Sequence, residues 1–167
     1  MTRTILALIA AATLSAQQPA KRFVAFTVSD PLNRFVLGLD RDTFEIVQAG
    51  ARVPITSFVE ADSPIVIAVV SDRRVDGSLI QASSIPEALT QLAASNSPRK
   101  GLIIANGADA AAIPAGIQVM RAEPSAIEKA VVELRSQYVV HFESESANFE
   151  VVIKQPRGLP ALRANRN

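Results

Sequence analysis

Two kinds of hydrophobic pattern divide the chain into three segments. Residues 22–60 alternate between apolar and polar positions, which predicts half-buried strands of an antiparallel sheet. Residues 65–70, with the sequence IVIAVV, are instead continuously apolar, which is typical of a strand covered on both faces in a parallel sheet. Alternation returns over residues 149–153. The order along the chain is therefore β-only, α/β and β-only again.

Turn residues punctuate the first segment. The sequence DPLN at residues 30–33 predicts a turn after the first strand. Residues 44–48 and 52–58 are strand-like and are separated by Ala49 and Gly50, so we expect a hairpin. Pro54 lacks a backbone N–H, which favours an edge strand or a bulge at that point.

Two helices are predicted in the middle segment. Each follows a capping box, in which a Ser precedes a Glu by three residues: Ser84 with Glu87, and Ser125 with Glu128. Pro86 in the first turn strengthens the first of these signals. Apolar residues then recur at helical spacing in both: Ile85, Ala88, Leu89, Leu92 and Ala93 in the first helix, and Ile127, Ala130, Val131 and Leu134 in the second.

The other strands of the middle segment are expected at residues 102–105, 117–120 and 138–142. The two outer segments are each too short to bury a sheet face alone, so we expect them to pair with each other. The predicted fold class is thus α/β: a mostly parallel, Rossmann-like sheet with helices, inserted in a small β-sheet or sandwich module. The module comprises residues 22–60 and 147–165, and the α/β block comprises residues 64–143.

The amino-terminal residues 1–16 have the features of a secretory signal peptide. Arg3 is followed by an apolar core of about ten residues and by a small-residue end at Ser15 and Ala16. Export is therefore expected, to the periplasm or outside the cell, and a buried amino-terminal helix is the alternative. No later apolar run reaches the length of about 18 residues that a membrane-spanning helix needs.

The composition of the chain excludes several classes of partner and of chemical site. The chain has 17 Lys and Arg against 16 Asp and Glu, and Arg3 belongs to the predicted signal peptide, so a nucleic-acid partner is not expected. The absence of Cys excludes disulfides, thiolate nucleophiles and Cys-ligated zinc. One histidine, His141, lies within a predicted strand, and without a Gly-x-Ser-x-Gly motif it is interpreted as structural.

Several stretches together resemble the VWFA-related family of secreted bacterial proteins, in which a short β module precedes a von Willebrand factor A domain. They are VLGLDRDTFEIVQAGARVPITSF at residues 36–58, SD at 71–72, RKGLIIANG at 99–107, LRSQYVV at 134–140 and VVIKQPRG at 151–158. The resemblance covers most of the chain after residue 16. It implies a reduced von Willebrand A-like domain and a role in binding another macromolecule.

The metal site that the resemblance implies is degenerate. Metal-binding A domains present Asp-x-Ser-x-Ser after the first strand, where a carboxylate and two hydroxyls hold Mg²⁺. This chain has Asp72, then Arg74 in place of the first serine and Asp76 in place of the second. A guanidinium does not ligate a cation, and Asn106 stands where the family usually has Asp. No metal or other cofactor is therefore expected.

The candidate binding surface is a rim at the carboxyl ends of the parallel strands, where open α/β sheets place their ligands. Its members are Asp72, Arg73, Arg74, Asp76, Asn106 and Asp109. Two interpretations stay open for the acids of this rim. They form a rearranged carboxylate site for Mg²⁺ or Ca²⁺, or they are solvated loop acids with Arg73 and Arg74 as counter-ions.

Three functions follow as hypotheses. The first is an exported, non-enzymatic protein that binds a protein or another envelope macromolecule through the rim. The alternative is a periplasmic metal-dependent hydrolase that uses Asp72, Asp76 and Asp109. The third is a decayed paralogue that retains the fold without a ligand.

Overall fold

A computed structural model describes residues 20–108 and 113–166 of the 167-residue chain. The predicted signal peptide and Asp109 lie outside the described residues. The elements in chain order are β1 (Ala20–Ser29), β2 (Phe44–Gln48), β3 (Ala51–Val53), β4 (Ile55–Val59), β5 (Ile65–Val70), β6 (Ile80–Ala82), α1 (Ile85–Ala94), β7 (Arg99–Ile104), β8 (Ile117–Arg121), α2 (Ile127–Arg135), β9 (Gln137–Ser144), β10 (Glu150–Ile153) and β11 (Arg163–Arg166).

Two antiparallel sheets form a sandwich from the outer segments of the chain. One has the strand order β11-β1-β9-β4 and the other the order β10-β2-β3. The pairing expected between the outer segments is present, since β10 pairs with β2 and β11 with β1. Aromatic rings from both sheets meet in the core, where the ring centroids of Phe44 lie 5.2 Å from Phe26 and 5.0 Å from Tyr138.

The hairpin and Pro54 explain how the chain passes from one sheet to the other. Ala49 and Gly50 both have positive φ, of 48° and 80°, which is the backbone of a tight two-residue turn between β2 and β3. Pro54 then separates β3, at the edge of one sheet, from β4, at the edge of the other. A proline is tolerated there because an edge position does not need its missing N–H.

The strand predicted at residues 138–142 belongs to the sandwich and not to the parallel sheet. It is β9, which is hydrogen-bonded antiparallel to β1 on one side and to β4 on the other. The prediction was wrong because β9 is buried on both faces, as a central parallel strand would be. Tyr138, Val140 and Phe142 pack into the sandwich core, while Gln137 and Val139 are buried on the opposite face. The strands of the α/β block accordingly end with β8.

The middle segment forms a four-stranded parallel sheet with the order β6-β5-β7-β8. One helix covers each face: α1 packs over Ala68, Val70 and Leu102, and α2 over Ile67, Val69 and Ile103. Three residues make up β6, which was not predicted, because so short a strand carries no readable period. The molecule is thus mixed α/β but contains more strand than helix.

The two helices begin differently. Ser84 caps α1, its hydroxyl accepting the N–H of Glu87 at 3.4 Å, while the Glu87 carboxylate accepts the N–H of Ser83 at 2.8 Å. The second predicted capping box is not formed, since α2 begins at Ile127 after Ala126 with no side-chain cap. With 10 and 9 residues, these helices fall well short of a bilayer's thickness, and the described part of the chain contains no candidate membrane span.

Arg99 joins the amino edge of the parallel sheet to the sandwich. This side chain, only 2% exposed, lies at the start of β7. Its guanidinium donates to the carbonyls of Ala61 at 2.6 Å and Ser63 at 3.2 Å, in the connection between β4 and β5. It also donates to the carbonyls of Leu134 and Arg135 at the end of α2. The sheet's other, carboxyl edge therefore points away from the sandwich.

Candidate functional site

The predicted rim residues lie at the carboxyl edge of the parallel sheet. Asp72, Arg73, Arg74 and Asp76 are in the loop between β5 and β6, and all four are exposed. Asn106 follows β7 by two residues and is exposed at the same edge, because β5 and β7 pair in register up to their last residues. The sixth predicted member, Asp109, is outside the described residues.

A groove of about 530 Å³ runs between this loop and α2. Both apolar and charged residues line this groove, and the charged ones are three arginines and two acids. The apolar residues are Val75, Leu79, Ile127, Val131 and Val132, and the charged residues are Arg73, Arg74, Arg135, Asp76 and Glu128. The structure thus brings three of the predicted residues together, whereas Asp72 and Asn106 lie outside the groove's lining.

Hydrogen bonds hold the loop against β6. The side chain of Gln81 donates to the Arg73 carbonyl at 3.0 Å and accepts the N–H of Val75 at 3.3 Å. The Asp76 carboxylate accepts the N–H of Ser78 at 2.8 Å. That hydrogen bond, with a smaller contribution from the positive charge of Arg135, holds the pKa of Asp76 below its usual value. The groove therefore has two walls. One is the loop, which these hydrogen bonds hold in place, and the other is α2.

Within residues 20–108 and 113–166, the guanidinium groups of Arg73 and Arg74 have no hydrogen-bond or ion-pair partner. Neither arginine forms a close ion pair with Asp72 or Asp76, since the ion pairs of the described residues lie in the sandwich, at Asp30 and Glu45. Asp76 binds the loop backbone instead. An unpaired surface arginine retains its full capacity to bind a carboxylate in two parallel hydrogen bonds.

The described members of the rim do not form the kind of site in which metal-binding A domains hold a divalent cation. No group of three or more His, Asp or Glu side chains converges among the described residues. Asp76 already accepts a backbone hydrogen bond, and Arg74 places a positive charge in the same loop. The hydrolase alternative also requires Asp109, so nothing in the described part of the chain favours it.

The helical wall of the groove was missed by the sequence analysis. Its most exposed apolar residue is Val132, which is 54% exposed, and its charged residues include Arg135 in the last turn. One signal was available, because Val132 is the apolar residue of α2 that falls off the buried stripe of Ile127, Ala130, Val131 and Leu134. A single exposed apolar residue is common on protein surfaces, so the signal was weak.

His141 lies on β9, far along the chain from the rim. Its half-buried ring is tilted against Phe23, with 6.0 Å between the ring centroids. It belongs to the face of the sandwich that meets the parallel sheet's amino edge. The interpretation of His141 as a structural residue, made from the sequence, stays a prediction.

Comparison with known proteins identifies no relative. No family model matches the chain, and neither a curated protein nor a solved structure matches it significantly. The class that the structure itself defines is a mixed α/β protein with a four-stranded parallel sheet and two helices.

Proposed function

We propose that this protein is an exported, non-enzymatic binding protein, and that it holds an acidic segment of a protein partner in the groove between the β5–β6 loop and α2. The observation that carries the proposal is that the guanidinium groups of Arg73 and Arg74 have no partner in the part of the chain that the structure describes, and that both residues line a groove with several apolar residues. Loops on a rigid sheet commonly carry binding sites, and this edge is free of the sandwich.

The chemistry of the groove selects the kind of partner. Guanidinium groups bind carboxylates with good geometry, and each charge-assisted hydrogen bond contributes about 1.5–3 kcal/mol. The apolar lining residues, such as Val75 and Val132, can contact aliphatic side chains that alternate with the acidic side chains of the partner. Asp76 and Glu128 oppose the three arginines, so the net charge of the lining is only slightly positive and the apolar contacts must contribute as well.

Export and family membership are parts of the same proposal. The features of residues 1–16 support secretion, and the stretches quoted above support a reduced von Willebrand A-like module. In this proposal Arg74, in the place of a metal-binding serine, replaces recognition through a cation by direct recognition of a carboxylate. A protein of the envelope is the partner class that this location implies.

The proposal is tested with two peptides of equal length, one of alternating Glu and Leu and one of alternating Lys and Leu. Fluorescence anisotropy should show binding of the acidic peptide that weakens as salt is added. Arg73→Glu or Arg74→Glu should lower its affinity by about tenfold or more. The matched control is Arg157→Glu, at an exposed arginine outside the groove, and it should leave binding unchanged. Equal loss in the three variants would overturn the assignment of the groove.

A further inference from the structure

A second cavity, of about 400 Å³, lies at the amino edge of the parallel sheet. The starts of β7 and β8 and the end of α1 form one side of it, and the face of β4 and β9 that points away from the sandwich core forms the other. Most of its lining is apolar and includes Val59, Leu89, Ala93, Pro98 and Val139. Cavities of this size and character are typical of small-molecule sites.

The ionisable residues that line the cavity are all basic. They are Arg99 and Lys100 from β7 and His141 from β9, and no Asp or Glu of the described residues is among the lining. The terminal nitrogens of Arg99 already donate to backbone carbonyls, so this residue adds positive charge without a free terminal group. A lining with cations and no acid favours an anionic ligand.

The side chain of Lys100 lies on the α1 face of the parallel sheet. A Cβ at the next residue, Gly101, would lie 3.1 Å from the Leu134 side chain of α2, so Gly101 faces α2. Successive side chains of a strand point to opposite faces, which places Lys100 on the side of α1. Its neighbour in register on β5, Val66, packs in the apolar cluster of that side. Gln118 also borders the cavity, but as the register partner of Gly101 its side chain belongs to the α2 face.

The charge of Lys100 is not neutralised by the protein. The residue is half-buried, and within residues 20–108 and 113–166 its ammonium group takes part in no hydrogen bond or ion pair, the ion pairs there being those of Asp30 and Glu45. A lysine can cover apolar surface with its aliphatic stem while its ammonium stays accessible. Next to apolar walls that exclude water, such a group attracts an anion more strongly than it would on an open surface.

From these groups we infer that the cavity binds a small carboxylic acid with an apolar body. The carboxylate pairs with the Lys100 ammonium, and the apolar walls contact the hydrocarbon part of the molecule. His141, on the sandwich side, has a ring N–H in either tautomer and supplies a second donor for the carboxylate. This site is separate from the groove and does not depend on the function proposed for it.

The test compares hydrocinnamate with hydrocinnamamide, its primary amide, which has the same skeleton but no charge. Both are titrated into the ¹⁵N-labelled protein and followed by NMR. Hydrocinnamate should shift the backbone amide signals of Ala93, Gly116 and Val139, which line the cavity, and bind about tenfold more tightly than the amide. Equal affinities, no binding of the acid, or shifts confined to the groove around Arg74 would overturn the proposal.

Variants test whether Lys100 is the group that selects the carboxylate. Lys100→Met removes the charge at similar length and should abolish the preference for the acid, whereas Lys100→Arg keeps the charge and should retain it. Lys129→Met is the matched control, because Lys129 is an exposed lysine of α2 that lines neither the cavity nor the groove. It should bind both probes as the unmodified protein does. An unchanged preference in Lys100→Met, or an equal loss in Lys129→Met, would contradict the assignment.

Discussion

The two edges of the parallel sheet differ in almost every property that matters for binding. The amino edge faces the sandwich, and the cavity there is lined mainly by apolar residues, with Lys100 and His141 among its polar ones. The carboxyl edge is open, and its groove is bordered by exposed arginines on a loop and a helix. A single sheet thus presents a mainly apolar cavity at one edge and an open groove lined by charged and apolar residues at the other.

The difference between the two edges follows from the connections that the chain makes at each of them. At the amino edge the short connection from β4 to β5 keeps the sandwich close, and Arg99 bonds to that connection and to the end of α2. At the carboxyl edge the β5–β6 loop has no neighbour from the sandwich in the groove. Anchoring one edge leaves the other available for a partner, so substitutions should affect stability at the first edge and binding at the second.

The largest effect is expected at the anchored edge, from Arg99→Ala. The substitution leaves four backbone carbonyls without their donor, among them Ala61, Leu134 and Arg135, and opens a cavity. Burial lowers the pKa of Arg99 to about 10, with Asp62 partly offsetting this, so the guanidinium is still charged at neutral pH. We expect a loss of about 3–5 kcal/mol in the free energy of unfolding, measured by urea denaturation.

Arg99→Lys is the control for charge, since a lysine keeps the positive charge but cannot reach four carbonyls with a planar group. It should destabilise the protein by less than the alanine variant does. A loss below about 1 kcal/mol for Arg99→Ala would mean that the two halves of the molecule are held together by other contacts.

A smaller effect is expected where α2 approaches the sheet, from Gly101→Val. A Cβ at Gly101 would lie 3.1 Å from the Leu134 side chain and 3.2 Å from Ile67. Overpacking of this kind costs about 1–3 kcal/mol. Gly77→Ala in the β5–β6 loop, where a Cβ meets nothing within 4 Å, is the matched control and should be nearly neutral by thermal unfolding. Equal Tm values for the two variants would refute the close packing of α2 on β7.

At the open edge, Asp76→Asn should produce only a small change in stability, and that change should depend on pH. The hydrogen bond from the Ser78 N–H holds the folded-state pKa of Asp76 below the usual value of 3.8. The carboxylate therefore stabilises the fold above that value, and this contribution is lost as the pH falls through the folded-state pKa. Urea denaturation should show the variant less stable than the parent near neutral pH and closer to it below about pH 3. A difference that grows on acidification would contradict the assignment.

Millimolar Mg²⁺ is expected to leave the Tm of the unmodified protein unchanged. A cation that binds only the folded state must raise Tm, and no group of three or more potential ligands converges in the described part of the rim. In Arg74→Ser combined with Asp76→Ser, the loop has the serine pattern of metal-binding A domains, and some rise of Tm with Mg²⁺ is expected. A rise of several degrees in the unmodified protein would return the carboxylate site, and with it the hydrolase alternative, to consideration.

Much of the fold could be predicted because its signals are local. The tight turn at Ala49 and Gly50 and the buried stripes of both helices depend on periods of a few residues. The sheet that contains β9 could not be predicted, since burial on both faces arises in a central parallel strand and equally where a second layer covers an antiparallel one. The missing cap of α2 shows the same limit, because Ser125 and Glu128 have the right spacing but the helix begins at Ile127.

The residues of the candidate sites also differ in whether a local sequence signal predicts them. Arg73, Arg74 and Asp76 could be placed at one edge because they follow directly after a recognisable parallel strand. The opposite wall, with Val132 and Arg135, depends on how α2 packs, which no short stretch of sequence encodes. Gln118 is a single polar residue in a short strand, and only the three-dimensional packing shows that its amide is buried and has no hydrogen-bond partner among the described residues.

The most direct test of binding at the open edge is a charge swap. The double variant Arg73→Glu with Arg74→Glu is measured against the acidic and the basic peptide of equal length. If the unpaired arginines recognise carboxylates, the double variant should lose the acidic peptide and gain affinity for the basic one, reversing the order of the unmodified protein. Unchanged affinity of the double variant for the acidic peptide would contradict the account.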